Sequence, residues 1–572
     1  MPSQDGTIAY FSLEIGLEAS IPTYSGGLGV LAGDTIRAAA DLGLPYAAVT
    51  LLYRDGYFRQ ELDKDGRQHE HPVKWSPEER LEELGPRAYV PVDGRDVQIR
   101  AFRHWVVGVT GHRVPVYFLD ADLPTNDEAA RNITRALYAG DPDHRIRQEA
   151  VLAVGGKRML RALTHDCVCF HMNEGHAFLV PVELLSEHLS RYDKQRLDPE
   201  AMAYARSRCV FTTHTPVPAG HDRFGIDRVR AIVGDHPVFN RPDMYGDEAG
   251  EGPGGSPLAG EVLNTTRLAM NLSRFSNAVA RKHAEVSRKM FPGYRIEPIT
   301  NGVHAATWTG PAMRRLFDKR VPEWRHYNAD LRLALSIPDE EILSAHAEQK
   351  KTLIEHVNKT AGTKMKADVF TIAFARRATA YKRPAMLLSD PERLRKIAEK
   401  AGPVQIIYAG KAHPHDGRGK EIIQEIVRNS KELHGAVEIA FVPNYDIELC
   451  RLYSAGADLW LNNPEPPLEA SGTSGMKAAL NGMPSLSTMD GWWLEGCVEG
   501  MTGWAIEGEG QGEALFHAHA DSLYDKLLHA VLPTYADKAK WASVMKHAIA
   551  INGSYFTTER MVREYALHAY FP

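Results

Sequence analysis

The chain has 572 residues, of which 44% are hydrophobic and 24% are charged, and its formal net charge is -6. A chain of this length forms two or more domains with a sizeable core, and the composition is that of an ordinary soluble globular protein. The slightly acidic balance argues against a nucleic-acid-binding protein. An anionic ligand would therefore be held by a few focused Lys and Arg residues.

The five cysteines are scattered and form no CxxC pair, which argues against a disulfide framework and a structural zinc site. The N-terminus lacks a basic segment followed by an apolar run, and no stretch is long and apolar enough to span a membrane. We therefore expect a cytoplasmic protein with no membrane association and no metal site.

Short apolar runs rich in Val, Ile, Phe and Tyr alternate with amphipathic helical patterns along the whole chain. This alternation predicts parallel sheets covered by helices on both faces, and hence the α/β class with two doubly wound, Rossmann-like domains. The predicted strands lie within residues 7–15, 46–53, 114–122, 165–172 and 208–216, and within 368–377, 404–410, 437–443, 457–463 and 484–490.

The strand pattern pauses after residue 310, where a polar, helical stretch follows. We therefore predict an N-terminal domain over 1–310, a C-terminal domain over 311–545, and a C-terminal helix within 546–572 that packs back on the body. The Gly/Pro-rich segment 247–261 reads as an exposed loop. Ligands of open α/β sheets bind outside the carboxyl ends of the strands, so we expect the active site in a cleft between the two domains.

Several polar motifs follow predicted strands. A glycine-rich turn of sequence SGGLG (25–29) leads into a helix and could bring backbone N–H groups to an anion, although a tight turn alone would explain it. The motifs NEGH (173–176) and THT (213–215) place His176 and His214 at strand ends, where metal binding is a rival explanation. The run RRATAYKR (376–383) carries four cations directly after a strand, which favours an anion pocket over a solvated charged face.

The segment EASGTSGMKAALNG (469–482) is the most informative. Its small-residue turn predicts a helix that starts near Gly475, with Lys477 in the first turn. A free ammonium is disfavoured at that end of a helix, whereas a modified lysine or one paired with phosphate fits better. Trp492 and Trp493 follow a later strand end and could stack on a sugar.

Taken together, SGGLG, NEGH, THT, ITNGV, RRATAYKR, NYD and EASGTSGMKAALNG resemble the glycogen, starch and maltodextrin phosphorylase family, and its short bacterial and archaeal branch in particular. The resemblance covers nearly the whole chain in motif order. It implies the GT-B type of glycosyltransferase architecture and an enzyme that uses pyridoxal 5′-phosphate. The reaction would be phosphorolysis of α-1,4-glucan to α-glucose 1-phosphate with retention, and the cofactor's 5′-phosphate would relay the proton.

The resemblance also assigns roles to individual positions. Lys477 would hold the cofactor covalently and Tyr445 would contact it. Around the substrate and cofactor phosphates it places Arg377, Lys382, Thr473, Gly27 and Gly29. The sugar would be bound by Asn301, His214, Glu469, Ser471 and Gly472, with Glu14, Glu174 and His176 on the glucan side. Asp446 departs from the pattern, because the large members carry a basic residue there.

The expected partners are glycogen or maltodextrin, inorganic phosphate and glucose 1-phosphate, and we expect a homo-oligomer that does not bind nucleic acid. Two alternatives stay open. A sugar-nucleotide-dependent glucan synthase of the same architecture would need no cofactor lysine, and a non-catalytic glucan-binding protein would not need the cations of the pocket.

Overall fold

The computed structural model describes residues 6–138, 140–247 and 261–571, and the chain divides into two compact units. Unit 1 is built from residues within 1–57, 72–299 and 561–572, and unit 2 from 58–71 and 300–560. The Gly/Pro-rich segment predicted as an exposed loop lies almost wholly outside the described residues. No helix among the described residues is long and apolar enough to cross a membrane.

The strands are numbered in chain order. They are β1 Thr7–Phe11, β2 Tyr46–Leu51, β3 Asp55–Leu62, β4 Gln68–Lys74, β5 Glu82–Val92, β6 Arg95–Val107, β7 Arg113–Asp120, β8 Cys167–Asn173, β9 Cys209–Thr213, β10 Arg223–Gly225, β11 Gly246–Asp247, β12 Val262–Asn264, β13 Phe275–Ala278, β14 Glu297–Pro298, β15 Phe370–Ala375, β16 Val404–Ala409, β17 Glu438–Val442, β18 Leu459–Asn462, β19 Ser485–Thr488 and β20 Gly503–Ile506.

The α-helices are numbered in the same way. They are α1 Gly27–Asp41, α2 Glu128–Arg131, α3 Pro142–Ala150, α4 Gly156–Ala162, α5 Leu179–Arg191, α6 Pro199–Arg208, α7 Ile226–Val233, α8 Pro242–Tyr245, α9 Thr265–Asn271, α10 Arg281–Met290, α11 Ala305–Trp308, α12 Pro311–Arg320, α13 Asp339–Ala361, α14 Pro391–Ala401, α15 Gly417–Leu433, α16 Ile447–Gly456, α17 Ser474–Ala479, α18 Trp493–Gly496, α19 Gly512–Lys526, α20 Leu532–Ala536, α21 Lys538–His547 and α22 Thr558–Tyr565.

Unit 1 contains a nine-stranded sheet of order β14-β13-β9-β8-β1-β2-β7-β6-β5. The strands from β14 to β7 are parallel, whereas β5 and β6 add an antiparallel edge. The strand order reverses between β1 and β8, because later strands are added on the β8 side. Such a switch point is where ligands of open α/β sheets bind.

Unit 2 contains a six-stranded parallel sheet of order β17-β16-β15-β18-β19-β20. Counted within the unit this is the order 3-2-1-4-5-6 of the Rossmann fold, with its switch point between β15 and β18. Five of these strands are buried along their length, as parallel strands covered on both faces must be, whereas the edge strand β17 is half-buried. The predicted α/β class with doubly wound sheets is confirmed.

The division of the chain differs from the predicted domain boundaries of 1–310, 311–545 and 546–572 in three places. Residues 300–310 belong to unit 2, and the C-terminal segment is shared, because residues up to Arg560 belong to unit 2 and 561–572 to unit 1. The hairpin Phe58–His71, formed by parts of β3 and β4, belongs to unit 2 although its flanking residues belong to unit 1. The local sequence pattern does not show which unit a segment packs against when the partners are far apart in the chain.

The C-terminal residues complete the buried polar network of unit 1. The ring nitrogens of His171 bond the hydroxyls of Tyr570 at 2.7 Å and Thr212 at 2.8 Å, and Tyr565 accepts from Asn277 at 3.0 Å. These groups are fully buried, so leaving one without its partner would cost about 1–3 kcal/mol. The last helical segment is therefore fixed to the sheet by specific bonds as well as by apolar packing.

Candidate active site

The switch point of unit 2 holds a buried cluster of opposite charges. Arg376 directly follows β15, and Glu469 lies in the loop after β18. Glu469 Oε2 accepts from Arg376 Nη2 at 2.6 Å and from Lys382 Nζ at 2.9 Å. The three side chains are 6–12% exposed, so water screens the charges only weakly. One carboxylate thus faces two cations, which leaves the cluster with a net positive charge.

Burial and charge shift the titration of this cluster. Burial opposes the charged carboxylate, but Arg376 and Lys382 outweigh it and lower the pKa of Glu469 to about 2. Burial and the neighbouring Arg376 lower the pKa of Lys382 to about 7, although Glu469 favours the cation. Lys382 is thus poised to gain or lose a proton near neutral pH, and an arriving anion would favour its charged form.

Polar atoms without a partner point to what this region could bind. Arg376 Nη1 and Ser471 Oγ are both buried and make no hydrogen bond within the described chain. Buried polar groups are normally satisfied, so unpaired ones at a switch point indicate a ligand. Gly472 next to Ser471 has a φ of +73°, a backbone conformation that favours glycine. Thr473 then occupies the N-cap position of helix α17, where its side chain accepts no capping hydrogen bond from the described helix.

Lys477 is the fourth residue of α17, whose start at Ser474 lies one residue before the predicted one. The helix is only six residues long, so the predicted repulsion by a helix dipole is small here. The Lys477 Nζ lies 3.7 Å from the centre of the Trp308 ring and 3.8 Å from Cys450 Sγ. The side chain is 5% exposed and has no carboxylate within ion-pair distance in the described chain. The indole face stabilises this ammonium instead.

Tyr445 connects the lysine to the charge cluster. Burial raises the pKa of its hydroxyl well above the usual value, and the adjacent Cys450 thiol adds to the rise, while Arg376 opposes it. Its neighbour Asp446 caps α16 by accepting from Leu449 N at 2.8 Å. Asp446, which stands where the large family members carry a basic residue, therefore has a structural role at the start of α16.

The other predicted residues of unit 2 are placed differently. Arg377 is exposed, whereas Arg383 is buried and donates to the carbonyls of Asn463 and Pro464, both at 2.8 Å. The guanidinium of Arg383 is thus bound by backbone carbonyls within unit 2, so Arg383 is a structural residue and not an anion ligand. Asn301 is buried, and its carbonyl accepts from Arg560 Nη2 at 3.0 Å.

In unit 1, Glu14 occupies the glycine-rich turn. Its Oε2 accepts from the backbone N–H of Ser25 at 2.6 Å and of Gly26 at 3.2 Å, and a side chain at Gly29 would meet Glu14 Oε2 at 2.8 Å. These two N–H groups are therefore already bound to a carboxylate. Gly27, the first residue of α1, is exposed, and a side chain there would meet nothing within 4 Å, so an external anion could approach the N–H groups of this first helical turn.

Glu174 fastens two strand ends of unit 1 together. Its Oε2 accepts from His214 N at 2.7 Å and from Thr215 Oγ1 at 3.0 Å, and its own φ is +78°. A non-glycine residue in this conformation is strained by about 1–3 kcal/mol and is typical of functional sites. Burial raises the pKa of Glu174 to about 7.

The side chain of His214 is held by a neighbouring amide. Its Nε2 donates to Asn173 Oδ1 at 2.7 Å, since Asn173 Nδ2 donates to Ser12 Oγ. Burial lowers the pKa of His214 to about 3, so the ring is neutral. The carboxyl ends of β1, β8 and β9 are thus connected at the switch point of unit 1.

His176 belongs to a second charged cluster in unit 1. Arg145 lies within ion-pair distance of Glu149 (3.3 Å) and Asp222 (3.4 Å) and donates to His176 Nε2 at 3.1 Å. Ligand atoms of Glu149, His176 and Asp222 lie within 4.8 Å of one another, as a metal site requires. The guanidinium of Arg145 already supplies the positive charge that a metal ion would bring.

Eight of the predicted residues form two groups, one in each unit. Glu469, Lys382, Ser471, Gly472 and Thr473 gather at the switch point of unit 2, and Glu14, Glu174 and His214 at that of unit 1. The sequence did not predict that Trp308 and Cys450 contact Lys477. It also did not predict that Glu14 binds the N–H groups of the glycine-rich turn. The prediction that Trp492 and Trp493 could stack on a sugar is wrong, because both are buried and pack against each other.

Two Rossmann-type units with buried cations and polar side chains at their switch points define an enzyme of the GT-B glycosyltransferase type. The profile of the carbohydrate phosphorylase family matches residues 259–499. The chain is 39% identical to the maltodextrin phosphorylase of Thermococcus litoralis, over 99% of this chain and 70% of that protein. It is 37% identical to the glycogen phosphorylase of Mycobacterium tuberculosis (99% and 71%) and 36% identical to that of Aquifex aeolicus (98% and 85%). The chain belongs to the carbohydrate phosphorylase family.

Proposed function

We propose that the protein is an α-glucan phosphorylase that cleaves α-1,4-glucan with inorganic phosphate, releases α-glucose 1-phosphate with retention, and carries pyridoxal 5′-phosphate on Lys477. The observation that carries the proposal is the surroundings of Lys477. A buried lysine normally pairs with a carboxylate, but this amine faces an indole ring and a thiol. An amine kept without an ion pair suits covalent attachment to an aldehyde.

The residues around Lys477 fit this cofactor. Trp308 and Tyr445 offer aromatic surface to a flat pyridine ring, and the unpaired Arg376 Nη1 offers a donor to a phosphate. Lys477 would hold the group and Arg376 would bind its phosphate. When bound, the cofactor would supply a phosphate monoester, whose second pKa near about 6 permits proton exchange at neutral pH.

The chain's own cations would receive the substrate phosphate. Two phosphates side by side repel each other, so their binding requires buried positive charge that is fixed before they arrive. Arg376 and Lys382 supply it, and Arg377 adds an exposed positive charge directly after Arg376. Because Lys382 has a pKa of about 7, an incoming phosphate would raise the fraction of Lys382 that is charged.

Each switch point offers polar groups that could bind a sugar. The charged Glu469 carboxylate and the unpaired Ser471 hydroxyl would bind sugar hydroxyls, with Gly472 leaving space beside them. In unit 1, Glu174 fixes the backbone of His214, the residue expected near the anomeric carbon. Glu469 is held between two cations with a pKa of about 2, so it would stay a carboxylate and could not serve as a general acid.

The test is the Lys477→Ala variant. We expect it to retain no pyridoxal phosphate and to lose phosphorolysis, and borohydride reduction of the wild-type protein followed by peptide mapping should label Lys477. Near-wild-type turnover of Lys477→Ala without added cofactor would refute the proposal. Lys157→Ala is the matched control, since Lys157 is also a buried lysine but lies in unit 1, where it pairs with Glu187.

The glucan synthase remains the second candidate function. It would transfer glucose from a sugar nucleotide and would show no near-ultraviolet absorption from a bound cofactor, so one spectrum and one nucleotide-dependent assay separate the two. A non-catalytic glucan-binding protein would fail both assays. The cytoplasmic location and the homo-oligomer stay predictions.

A further inference from the structure

The hairpin Phe58–His71 carries two buried glutamines whose amides bind the backbone of unit 2. Gln60 and Gln68 are 2% and 7% exposed, and Gln60 Nε2 donates to Gln68 Oε1 at 2.8 Å. Gln68 Nε2 donates to Ala412 O at 2.9 Å, and Ala412 N donates back to Gln68 Oε1 at 3.0 Å. Gln60 Nε2 also donates to Gly410 O at 2.9 Å. Both amides thus act as backbone partners for the loop after β16.

Gln60 also fixes the loop after β17. Asn444 N donates to Gln60 Oε1 at 2.8 Å, and Gln60 N donates to Asn444 Oδ1 at 3.2 Å. Asn444 has a φ of +62°, which is uncommon for a residue with a side chain. The paired bonds from Gln60 hold this conformation, and Tyr445 follows directly in the chain.

Each loop leads to one part of the proposed site. The loop 410–412 packs on the backbone after β15, since Ala378 N donates to Lys411 O at 3.0 Å and a side chain on Gly410 would meet Arg376 O at 1.9 Å. A shift of this loop would therefore move Arg376 and, through it, Glu469. The other loop leads through Tyr445 to Cys450 and the amine of Lys477.

We propose that Gln60 and Gln68 are positioning residues for the active site: Gln68 aligns the backbone under Arg376 and Arg377, and Gln60 aligns Tyr445 beside the cofactor lysine. The inference rests on the proposed function. The hairpin is held by separate contacts at its tip, where Asp65 lies 3.6 Å from Lys431 Nζ and Gly66 packs on Val427. A substitution at the tip therefore changes the docking of the hairpin, whereas a substitution of Gln60 or Gln68 changes the alignment of the loops.

The experiment compares Gln60→Ala and Gln68→Ala with Asp65→Asn, a hairpin variant that touches neither loop. Each alanine variant loses hydrogen bonds to buried backbone groups. We expect this loss to change the measured constant, either the KM for phosphate or the affinity for the cofactor, by about tenfold or more. We expect Gln68→Ala to raise the KM for phosphate with a smaller change in kcat, and Gln60→Ala to weaken retention of pyridoxal phosphate and change its absorbance spectrum. Asp65→Asn should change neither.

Hydrogen exchange of the peptides that cover 409–413 and 443–447 gives a readout that needs neither cofactor nor activity. We expect faster exchange there in the two alanine variants and an unchanged rate in Asp65→Asn. Gln60→Met fills a similar volume but offers no acceptor to Asn444 N, so it should speed exchange at 443–447 even if Gln60→Ala folds poorly.

Failure of the proposed function and failure of the positioning role give different results. If the wild-type protein binds no pyridoxal phosphate, the proposed function fails, and the exchange data still decide whether the glutamines hold the loops. If the wild-type protein is active and both alanine variants match Asp65→Asn in phosphate KM, cofactor retention and exchange, the positioning role is overturned.

Discussion

Glu469 Oε2 lies 2.6 Å from Arg376 Nη2 and 2.9 Å from Lys382 Nζ, so a single carboxylate bridges two buried cations. The arrangement keeps the cations in place and leaves one positive charge in excess. A buried pair broken on one side costs about 3–5 kcal/mol, so the three groups are expected to behave as a unit.

Glu469→Gln should weaken sugar binding strongly. The amide keeps the shape of the side chain but offers its NH₂ group to two cations that need an acceptor. We expect kcat/KM for glucose 1-phosphate, in the direction of glucan synthesis, to fall at least about a hundredfold, or about 2.7 kcal/mol. Glu448→Gln serves as the control, because Glu448 is exposed and pairs with Arg451. Equal activities of the two variants would contradict the role of Glu469.

The affinity for phosphate should depend on the charge of Lys382. Its pKa is about 7 in the free protein, so the cation is present below that pH and is lost as the pH rises above it. We expect the KM for phosphate to rise on the alkaline side of pH 7. Lys382→Arg stays charged throughout, so its alkaline rise should be reduced even though phosphate titrates identically in both assays. Superimposable profiles of wild type and variant would exclude Lys382 as the titrating group.

Arg377→Ala should change the response to phosphate specifically. Arg377 is exposed and follows the buried Arg376, so its loss should leave the fold intact. We expect a phosphate KM at least about tenfold higher or a kcat tenfold lower, about 1.4 kcal/mol. Arg418→Ala, at an exposed arginine of α15 paired with Glu421, is the matched control. An unchanged phosphate response in Arg377→Ala would remove this residue from the site.

Glu174→Gln should affect the sugar side alone. The amide cannot accept from His214 N, Thr215 Oγ1 and Gly175 N as the carboxylate does, so the backbone of His214 should loosen. We expect the KM for the glucan to rise at least about tenfold, while the KM for phosphate stays within about twofold. A parallel rise of both constants would indicate general disorder instead.

The Arg145 cluster allows a prediction about stability. Arg145→Ala would leave the half-buried Asp222 without its arginine partner and the buried Glu149 beside it, which should cost about 3–5 kcal/mol. Burial and Asp222 together raise the pKa of Glu149 well above its usual value, because this site disfavours a charged carboxylate, so Glu149→Gln should cost less stability than Arg145→Ala. Thermal unfolding of both variants checks this. A larger loss in Glu149→Gln than in Arg145→Ala would contradict the charge assignment.

Local sequence predicted the parallel sheets and the loops that carry polar residues, because buried strands and small-residue turns have strong local patterns. Arg376, Lys382 and Glu469 could be predicted individually since each follows a strand. Their mutual contact could not, because Glu469 lies far along the chain and the register of two loops decides the distance. Trp308 and Cys450 gave no signal, since an apolar residue beside a reactive amine looks like core in the sequence.

Contacts between residues that are far apart in the sequence explain the remaining differences between prediction and structure. The hairpin Phe58–His71 reads as a continuation of the first domain, and only three-dimensional contacts assign it to unit 2. Trp492 and Trp493 follow a strand, as ligand-binding residues often do, but Trp492 packs on Phe556 from the last part of unit 2. Neither the assignment of the hairpin nor the packing of Trp492 can be predicted from a short segment of sequence.

The carboxylate of Glu14 in the glycine-rich turn has a consequence for the speed of binding. The turn is already ordered by Glu14, so the conformational entropy of residues 25 and 26 is lost during folding and not during ligand capture. An anion that reaches Gly27 meets a preformed surface. Its association rate should then be set by diffusion and ionic strength, with no slow step for ordering this turn.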